Sequence, residues 1–355
     1  MNFSLYGLLY LAENQSSSIM DMYAETYPNK RRFYIKSAVN LSRSLRKRGV
    51  SFTLLTNNKQ EILDDLDILG YRDSLDVESI DFQLEVPDGL FYYSTHFKLD
   101  VFRYFASLSS DRYVGLIDID AIAVNDLPIC LKNLVEAKTP ACYDVSDQLI
   151  PAFGHDIILR DMQRLSPDIC VGRWYGGELI MGTPDFFADL NEEAQIIYER
   201  YIAIVDELFH KGDEMIVSVA LEKIQRNGRY VADLGTLGVV GRYFSVPTVK
   251  HPQKSFRYFE NCFLLHLPVD KDFLAQLNPE RAEVREIFLK HYKSYLSTVW
   301  LVRGIQKIQR TCRSLLGALR PIKLSAPKKQ EELREKLLRF NQRNIKTLKK
   351  NLSTK

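Results

Sequence analysis

Before Asn57 the chain alternates between strand and helix patterns, and this alternation limits the possible folds more than any other feature. Residues 3–12 are a continuous apolar run of strand length, residues 34–48 repeat apolar side chains at helical spacing, and residues 51–56 predict a second strand. Gly49 follows the helix as a C-cap. Two strands joined by a helix form a βαβ unit, which pairs them in parallel. We therefore predict an α/β fold with a mixed, mainly parallel sheet flanked by helices.

The same alternation continues along most of the chain. Further strands are predicted at residues 79–84, 112–119, 140–145, 175–181 and 262–267. Further helices are predicted up to Leu69, where Gly70 ends the helix, and at residues 95–108, 184–209 and 213–225. The side of the helix at 95–108 that we expect to be buried is formed by Phe97, Val101, Phe102 and Phe105. We predict one domain at residues 1–275 and a basic helical C-terminal extension at residues 276–355.

The most apolar strand, residues 112–119, leads directly into two carboxylates, Asp118 and Asp120. Ligand sites in open α/β sheets lie at the carboxyl ends of the strands. Two carboxylates at such a place can hold a hard divalent cation that bridges phosphate oxygens. Aspartate is also common where a strand turns into a loop, because it hydrogen-bonds locally. The pair alone therefore does not decide between a metal site and a turn.

The setting of this pair resembles the core of A-type (GT-A) glycosyltransferases, in particular glycosyltransferase family 8. In that family a Thr-x-x-Arg/Lys-Leu helix leads into an apolar strand that ends in Asp-x-Asp-x-x-Val. The matching residues are Thr95, Lys98, Leu99, Asp118 and Asp120, and Val124 stands one position later than in this pattern. The resemblance covers about residues 3–271. It implies that Asp118 and Asp120 bind the diphosphate of a sugar nucleotide through Mn²⁺ or Mg²⁺, and that Lys98 neutralises donor phosphate or contacts the sugar.

Two later segments follow in the order that the family requires. Residues 174–181 resemble the strand under the donor sugar, where Gly176 and Gly177 let the backbone approach the ligand. Asp213 and Glu214 resemble the Asp-Gln of family 8 and, more closely, the Asp-Glu of the retaining family 6. The resemblance implies that Glu214 acts as a nucleophile or stabilises an oxocarbenium ion. The structural alternatives are an N-cap for Asp213 and a favourable helix-dipole position for Glu214.

The end of the matched region resembles the His-x5-Lys arrangement of family 8. His266 and Lys271 are one residue closer than in the family, and its Gly and Lys-Pro-Trp are absent. The resemblance implies that His266 is the third metal ligand and that Lys271 grips the diphosphate, with Lys254 as an alternative. By their position after the first two predicted strands, the residues expected to face the nucleotide base are Ala12, Asn14 and Asn57.

The charge of the chain is divided between an acidic body and a basic tail. The whole chain has 48 Lys+Arg and 45 Asp+Glu residues, but residues 301–355 contain 16 basic and 3 acidic ones, which leaves 32 basic and 42 acidic residues before them. In residues 301–320 aliphatic side chains recur on one helical face and cations lie opposite. This pattern favours an anionic membrane surface. The alternative is a terminal helix packed on the catalytic domain, and residues 328–350 predict a second helix for a partner or a second surface contact.

Cysteine usage and the absence of apolar spans indicate the compartment. The five cysteines are scattered and form no Cys-x-x-Cys pair, which favours a reducing compartment over a disulfide framework or a structural zinc site. Residues 1–10 lack the basic region and cleavage site of a signal peptide. No apolar run approaches the ~20 residues that span a bilayer. We expect a cytoplasmic protein, peripheral on the cytoplasmic face of a membrane.

Together these features predict a metal-dependent, retaining glycosyltransferase. It would move a hexose from a nucleotide sugar, of the UDP-sugar type, to a glycan or glycolipid acceptor in surface polysaccharide or lipopolysaccharide synthesis. If the enzyme inverts instead, Glu214 or Glu178 is the candidate base. A haloacid-dehalogenase-type phosphohydrolase, with Asp118 as nucleophile and Asp120 as general acid, is the alternative enzyme.

Two further classes were weighed against these enzymes. A sugar-nucleotide pyrophosphorylase is disfavoured because no Gly-rich loop with a basic residue follows the first strand. A binding protein with a basic arm for nucleic acid is the non-enzymatic alternative. The acidic body argues against it, as does the tail, where Phe340 is the single aromatic residue after Trp300. We therefore expect no nucleic-acid partner.

Overall fold

The computed structural model describes residues 3–11, 27–246 and 252–318. Its strands are β1 (Phe3–Leu8), β2 (Ser51–Thr56), β3 (Asp76–Ser79), β4 (Tyr113–Ile117), β5 (Ala121–Ala123), β6 (Ala141–Asp144), β7 (Tyr175–Gly182), β8 (Ala232–Asp233), β9 (Val240–Arg242) and β10 (Leu264–His266). Its α-helices are α1 (Tyr27–Arg46), α2 (Lys59–Leu69), α3 (Lys98–Ala106), α4 (Ile129–Glu136), α5 (Ser146–Phe153), α6 (His155–Leu165), α7 (Pro184–Ile204), α8 (Asp213–Arg226), α9 (Phe256–Phe259), α10 (Lys271–Gln276), α11 (Pro279–Ala282) and α12 (Arg285–Ala318).

Seven strands form the main sheet in the order β3-β2-β1-β4-β7-β6-β8. β1 pairs in parallel with β2 and β4, β2 with β3, and β6 with β8, whereas β7 runs antiparallel to β4 and β6. Strands β5, β10 and β9 form a second, three-stranded sheet. The predicted fold class, an α/β fold with a mixed, mainly parallel sheet flanked by helices and followed by a C-terminal helix, is confirmed.

The first βαβ unit forms as its sequence predicts. The helix α1 begins earlier than residue 34, and Gly49 adopts φ 71° just after it, where a side chain on Cβ would be strained. α2 begins after Asn58, whose side chain accepts a hydrogen bond from the amide of Glu61, and it ends at Gly70 in the left-handed conformation. β2 has the predicted bounds.

The predicted strand at residues 79–84 is wrong, because β3 ends at Ser79. Beyond that point the carboxylate of Asp100 accepts hydrogen bonds from the backbone amides of Gln83 and Leu84, at 3.1 Å each. These amides are therefore bonded to a side chain of α3 instead of a neighbouring strand. The predicted buried face of the helix at 95–108 is confirmed, since all four of its aromatic and aliphatic side chains are buried.

The predicted helix at 184–209 is shorter than expected. α7 ends at Ile204, a 3-10 turn follows at Val205–Glu207, and the chain then leaves the helical path. The carboxylate of Asp161 accepts hydrogen bonds from the backbone amides of Phe209 and His210 at 2.8 and 3.1 Å. This side chain from α6 holds the segment that leads into α8.

A second hydrophobic core lies around the small sheet. It includes Tyr243, Phe259 and Leu265, together with Phe288 and Tyr292 from the first turns of α12. Residues 276–299, which the sequence assigned to the extension, thus contribute to this core. The first of two compact units ends at Val299, and the second begins at Trp300. None of the helices in the described part of the chain has both the length and the apolarity needed to cross a membrane.

Candidate active site

Strand β4 delivers the two aspartates of the site. All its residues are buried, and its end is fixed because the amide of Asp118 donates to the carbonyl oxygen of Glu178 in β7, at 3.0 Å. The chain then turns through Asp118 and Asp120 and continues as β5, which belongs to the small sheet. Asp118 is partly buried and Asp120 is buried. Both carboxylates therefore lie where the main sheet gives way to the small one.

The small sheet brings His266 to these aspartates. His266 ends β10, where it pairs with Ala121 of β5 on one side and Arg242 of β9 on the other. Its Nε2 lies 3.0 Å from Asp120 Oδ1 and 3.8 Å from Asp118 Oδ2. One ligand atom from each of the three residues lies within 4.8 Å of the other two. Two carboxylates and an imidazole in this arrangement form a plausible donor set for Mn²⁺ or Mg²⁺.

The orientation of the imidazole fits a metal site. His266 Nδ1 lies 3.0 Å from Glu178 Oε1, so that an Nδ1–H bond to this carboxylate leaves Nε2 directed at the two aspartates. Burial alone would lower the pKa of His266, but Asp120 and Glu178 outweigh burial and raise this pKa to about 10. The same kind of balance operates at Asp120, where Lys271 and His266 overcome burial and hold the pKa of the carboxyl well below its usual range.

The balance of formal charge also fits a divalent cation. The contacting carboxylates are Asp118, Asp120, Glu178, Asp213 and Glu214, and the permanent cations are Lys98, Lys271 and Arg242. With His266 protonated, as its raised pKa favours, the cluster has an excess of one negative charge, and with His266 neutral, as a metal ligand must be, it has an excess of two. A divalent cation would neutralise this excess.

Two lysines flank the aspartates. Lys98, at the first turn of α3, is buried, and its Nζ lies 2.9 Å from Asp118 Oδ1, 2.9 Å from Asp213 Oδ2 and 3.1 Å from the carbonyl oxygen of Gly177. Lys271, the first residue of α10, lies 3.2 Å from Asp120 Oδ2. Lys98 is therefore not a solvated surface lysine. The shortened spacing between His266 and Lys271 still brings both side chains to Asp120.

The start of α8 contributes two more carboxylates. Gly212, not Asp213, occupies the N-cap position, and the side chain of Asp213 contacts Lys98 instead. Burial would raise the pKa of Asp213, but Lys98 outweighs it and lowers this pKa. Glu214 Oε2 accepts from the indole Nε1 of Trp174 at 2.8 Å. Glu214 Oε1 accepts from the amide of Gly177 at 3.3 Å and from Arg242.

The two glycines of β7 allow this close packing. A Cβ atom at Gly177 would lie 2.5 Å from Lys98 Nζ and 3.0 Å from Asp213 Oδ2. A Cβ atom at Gly176 would lie 1.9 Å from Glu178 Oε2. Contacts this short are not tolerated, so the glycines are needed for the side chains of the cluster to occupy their positions.

Arg242 is the member of the site that the sequence analysis missed. Its buried guanidinium bonds both Glu178 and Glu214, and these carboxylates raise its pKa well above the usual value despite burial. Arg242 lies in a strand of three residues, and its position opposite His266 depends on the register of β9 and β10. No motif in the sequence indicates that register. A lone arginine in an apolar segment was the available signal.

Other predicted residues lie elsewhere. Asn57 is exposed and lies outside the cluster. Its side-chain amide bonds the backbone of Leu11: Leu11 N donates to Asn57 Oδ1 at 2.8 Å, and Asn57 Nδ2 donates to Leu11 O at 3.0 Å. Lys254, the alternative to Lys271, has its Nζ 3.9 Å from the ring centre of Tyr258. Two predicted base-binding residues, Ala12 and Asn14, fall outside the described residues.

Several solved structures of glycosyltransferases are similar to this chain. Galactosyltransferase LgtC in complex with donor and acceptor sugar analogs is 12% identical and matches 79% of this chain and 100% of that chain, with a TM-score of 0.45. The apo structure of the bifunctional glycosyltransferase WbbM is 10% identical and matches 75% of this chain, with a TM-score of 0.44. Mouse xyloside xylosyltransferase 1, in its apo form, is 11% identical and matches 76% of this chain and 99% of that chain, with a TM-score of 0.43.

The chain spans 45% of the length of the WbbM protein that it matches. No protein-family model matches the chain, and no curated protein matches its sequence.

Proposed function

We propose that this chain is a metal-dependent GT-A glycosyltransferase, formed by residues 1–275, that moves a hexose from a UDP-sugar to a glycan or glycolipid acceptor. The observation that supports this most directly is the convergence of Asp118, Asp120 and His266 at the carboxyl end of β4. Two lysines lie beside them, one at each aspartate. A sugar nucleotide presents a diphosphate, and fixed cations stabilise the charge that develops on it as it leaves.

Each polar group of the cluster has a role in this reaction. When bound, Mn²⁺ or Mg²⁺ would act as a Lewis acid toward the diphosphate. Asp118, Asp120 and His266 hold the metal, and Glu178 orients the imidazole. Lys98 and Lys271 lie close enough to the aspartates to contact phosphate oxygens of a donor bound there. Their positive charge favours departure of the nucleoside diphosphate.

In the transfer, the acceptor hydroxyl oxygen forms a bond to the anomeric carbon of the donor. The bond between that carbon and the diphosphate oxygen breaks, and the hydroxyl proton leaves with the nucleoside diphosphate. Glu214, which is held by the Trp174 indole and the Gly177 amide, is the carboxylate proposed to stabilise positive charge on the sugar or to act as its nucleophile. As a nucleophile, Glu214 would form a bond to the anomeric carbon as the bond to the diphosphate oxygen breaks, and the acceptor hydroxyl would then displace Glu214, so that two inversions give retention.

A general base for an inverting reaction is less well supported by the site than the retaining role of Glu214. Glu178 is 1% exposed and is bonded to both Arg242 and His266, so that it has no route to an acceptor hydroxyl. Glu214 is the remaining candidate. The NMR coupling of the anomeric proton in the product decides between retention and inversion.

We assign the nucleotide base to the ends of β1 and β2, where Ala12, Asn14 and Asn57 follow the strands. The amide of Asn57 holds the backbone of Leu11. Its contribution to the base site is therefore to fix the chain that follows β1, and its exposed surface is free to contact the base.

The basic extension supports a proposal for where in the cell the enzyme acts. Trp300, Leu301, Val302 and Ile305 are all exposed at the start of the second unit. Apolar side chains beside a long run of cations suit an anionic headgroup layer. We propose that residues 301–320 bring the enzyme to the cytoplasmic face of a membrane, where it glycosylates a lipid-linked acceptor in surface polysaccharide or lipopolysaccharide synthesis.

Hydrolysis of donors without an acceptor tests the function. The wild type and the Asp120→Asn variant are incubated with Mn²⁺ and a panel of UDP- and GDP-hexoses, and released nucleotide is measured. Asp67→Asn, which changes an exposed aspartate of α2, is the matched control. We expect one donor to be hydrolysed by the wild type and the control but not by Asp120→Asn.

The same assay separates the enzyme classes. Release of phosphate from p-nitrophenyl phosphate, with no hydrolysis of any nucleotide sugar, would instead identify a phosphohydrolase. No described feature favours that class, because the Asp-x-Asp motif follows the fourth strand of the chain instead of opening the domain.

A further inference from the structure

Three exposed aromatic side chains lie on two segments that meet at the start of α8. Phe91 and Tyr92 belong to the segment before α3 and are 52% and 53% exposed, whereas Phe209, which is 59% exposed, belongs to the segment before α8. Lys211 Nζ lies 6.0 Å from the ring centre of Phe91, which joins the two segments. Exposed rings concentrated in this way mark a contact surface more often than scattered ones do.

This surface adjoins the candidate catalytic carboxylates. The ring of Tyr92 lies over Gly212, 3.2 Å from the point where a Cβ atom would be, and Gly212 directly precedes Asp213 and Glu214. Burial raises the pKa of Tyr92, and the charges of Glu214 and Asp213 raise it further. Tyr92 therefore packs against the residue that directly precedes both carboxylates.

A second path of contacts leads from the surface to Glu214. The ring of Phe209 lies 4.8 Å from that of His210, and His210 lies 5.0 Å from Trp174, whose indole N–H is bonded to Glu214. His210 is 8% exposed, and its Nε2 finds no hydrogen-bond partner among the described residues. A polar atom without a partner in the described part of the chain thus lies beside the exposed ring of Phe209.

The backbone of Tyr92 is held in an unusual conformation. Its φ of 58° and ψ of 34° are left-handed, which costs free energy for a residue with a Cβ atom. Its carbonyl oxygen accepts from Thr95 N at 2.9 Å and Thr95 Oγ1 at 2.8 Å, and His96 Nδ1 lies 3.0 Å from it. These contacts hold the strained turn, and the turn directs the ring to Gly212. Strained turns maintained in this way are concentrated at ligand sites.

We propose that Phe91, Tyr92 and Phe209, which we call the aromatic platform, bind a pyranose ring of the glycan acceptor. This inference rests on the proposed transferase function. A pyranose has an apolar C–H face that packs on aromatic rings and a polar rim of hydroxyls. The reacting hydroxyl must come within about 3–3.5 Å of the donor carbon. An acceptor on the aromatic platform would present its rim to the edge where Asp213 and Glu214 lie.

The test is ligand-observed saturation-transfer NMR with methyl β-D-glucopyranoside and methyl β-D-galactopyranoside, with and without UDP and Mn²⁺. We expect saturation of the ring C–H protons of a glycoside bound to the wild type. Phe209→Ala and Phe91→Ala should each weaken this binding by about tenfold. Tyr230→Ala is the matched control, because Tyr230 is 71% exposed and precedes β8, an edge strand of the main sheet.

The outcomes distinguish failure of the aromatic platform from failure of the proposed transferase function. Equal glycoside binding by Phe209→Ala and Tyr230→Ala, or no binding by the wild type, would overturn the platform. If Phe209→Ala and Phe91→Ala lost binding to phosphatidylglycerol vesicles but bound glycosides as the wild type does, the rings would be assigned to a lipid surface. That result would also overturn the aromatic platform as an acceptor site. Glycoside binding that needs the rings, in a chain that binds no UDP with Mn²⁺, would support a carbohydrate site and reject the transferase.

Discussion

Arg242 joins the two groups of acidic residues in the site. Its guanidinium bonds Glu178, which orients His266, and also Glu214 at the start of α8. Arg242 lies in β9, and the two carboxylates that it bonds lie in β7 and α8. Glu178 next to the metal ligand His266 and Glu214 at the start of α8 thus share one buried cation. Loss of Arg242 would leave both carboxylates without their main partner.

The Arg242→Met variant should be strongly destabilised. Removing one partner from a buried ion pair costs about 3–5 kcal/mol, because the remaining carboxylates stay buried without compensation. Urea denaturation measures this change in the free energy of unfolding. Arg72→Met, which breaks the exposed pair with Asp67, is the matched control and should change it by less than about 1 kcal/mol. Similar losses in both variants would contradict the role assigned to Arg242.

Residue positions were predictable where a motif marks the end of a strand or the start of a helix. Asp118, Asp120 and His266 follow recognisable apolar runs, and Asp213 follows a glycine at the start of a predicted helix. Arg242 was not predictable, because its contacts depend on how a three-residue strand pairs with β10. Sequence spacing does not determine that pairing.

At the scale of elements, α12 and α10 are connected through Asp270. This aspartate is fully buried and accepts hydrogen bonds from the hydroxyls of Ser245, Tyr292 and Tyr295, the last two at 2.6 and 2.9 Å. Burial raises its pKa, and these hydroxyls oppose the increase. Asp270 directly precedes Lys271, so the packing of α12 fixes the start of the helix that carries this lysine.

The Tyr292→Phe variant should lower the free energy of unfolding by about 1–3 kcal/mol, because it removes a donor from a buried carboxylate. Thermal or urea denaturation measures the change. Tyr230→Phe removes a hydroxyl from an exposed tyrosine and should have almost no effect. If Tyr292→Phe and Tyr230→Phe had the same free energy of unfolding, the hydrogen bonds to Asp270 would not stabilise the start of α10 as described.

The errors in the predicted elements share one physical cause. The strand expected at residues 79–84 fails because Asp100 bonds the amides of Gln83 and Leu84. The helix expected to reach residue 209 stops early, and Asp161 bonds the amides of Phe209 and His210. In both places a carboxylate from another helix takes backbone donors, which local periodicity cannot reveal. β2 and the start of α8, whose backbone amides bond no such carboxylate among the described residues, were predicted correctly.

At the scale of the whole molecule, the alternation of strands and helices was sufficient to predict the fold class. Of the small sheet, β10 was predicted as part of the strand at residues 262–267, but β5 and β9 were not, because strands of three residues provide no periodic signal. This sheet nevertheless supplies His266 and Arg242. The part of the site that depends on long, regular elements was therefore predictable. On the small sheet, His266 was predicted through the family resemblance, and Arg242 was not predicted.

The division of charge leads to a prediction about membranes. The double variant Arg310→Glu/Arg313→Glu should bind phosphatidylglycerol vesicles at least about tenfold more weakly than the wild type, since each basic residue near such a surface contributes about 1 kcal/mol. Vesicle sedimentation at low salt measures binding. Lys59→Glu/Lys138→Glu is the matched control, because it makes the same change of net charge at exposed positions of the first unit. Equal loss in both variants would show that total charge, not the tail, determines binding.

The central claim is that Asp118, Asp120 and His266 hold a divalent metal for a nucleotide diphosphate. Electron paramagnetic resonance of Mn²⁺, titrated into the protein in the presence of UDP, tests it most directly. The account predicts one bound Mn²⁺ per chain in the wild type and in Asp67→Asn, and at least about hundredfold weaker binding in Asp120→Asn. Equal Mn²⁺ affinity in Asp120→Asn and the wild type would contradict it.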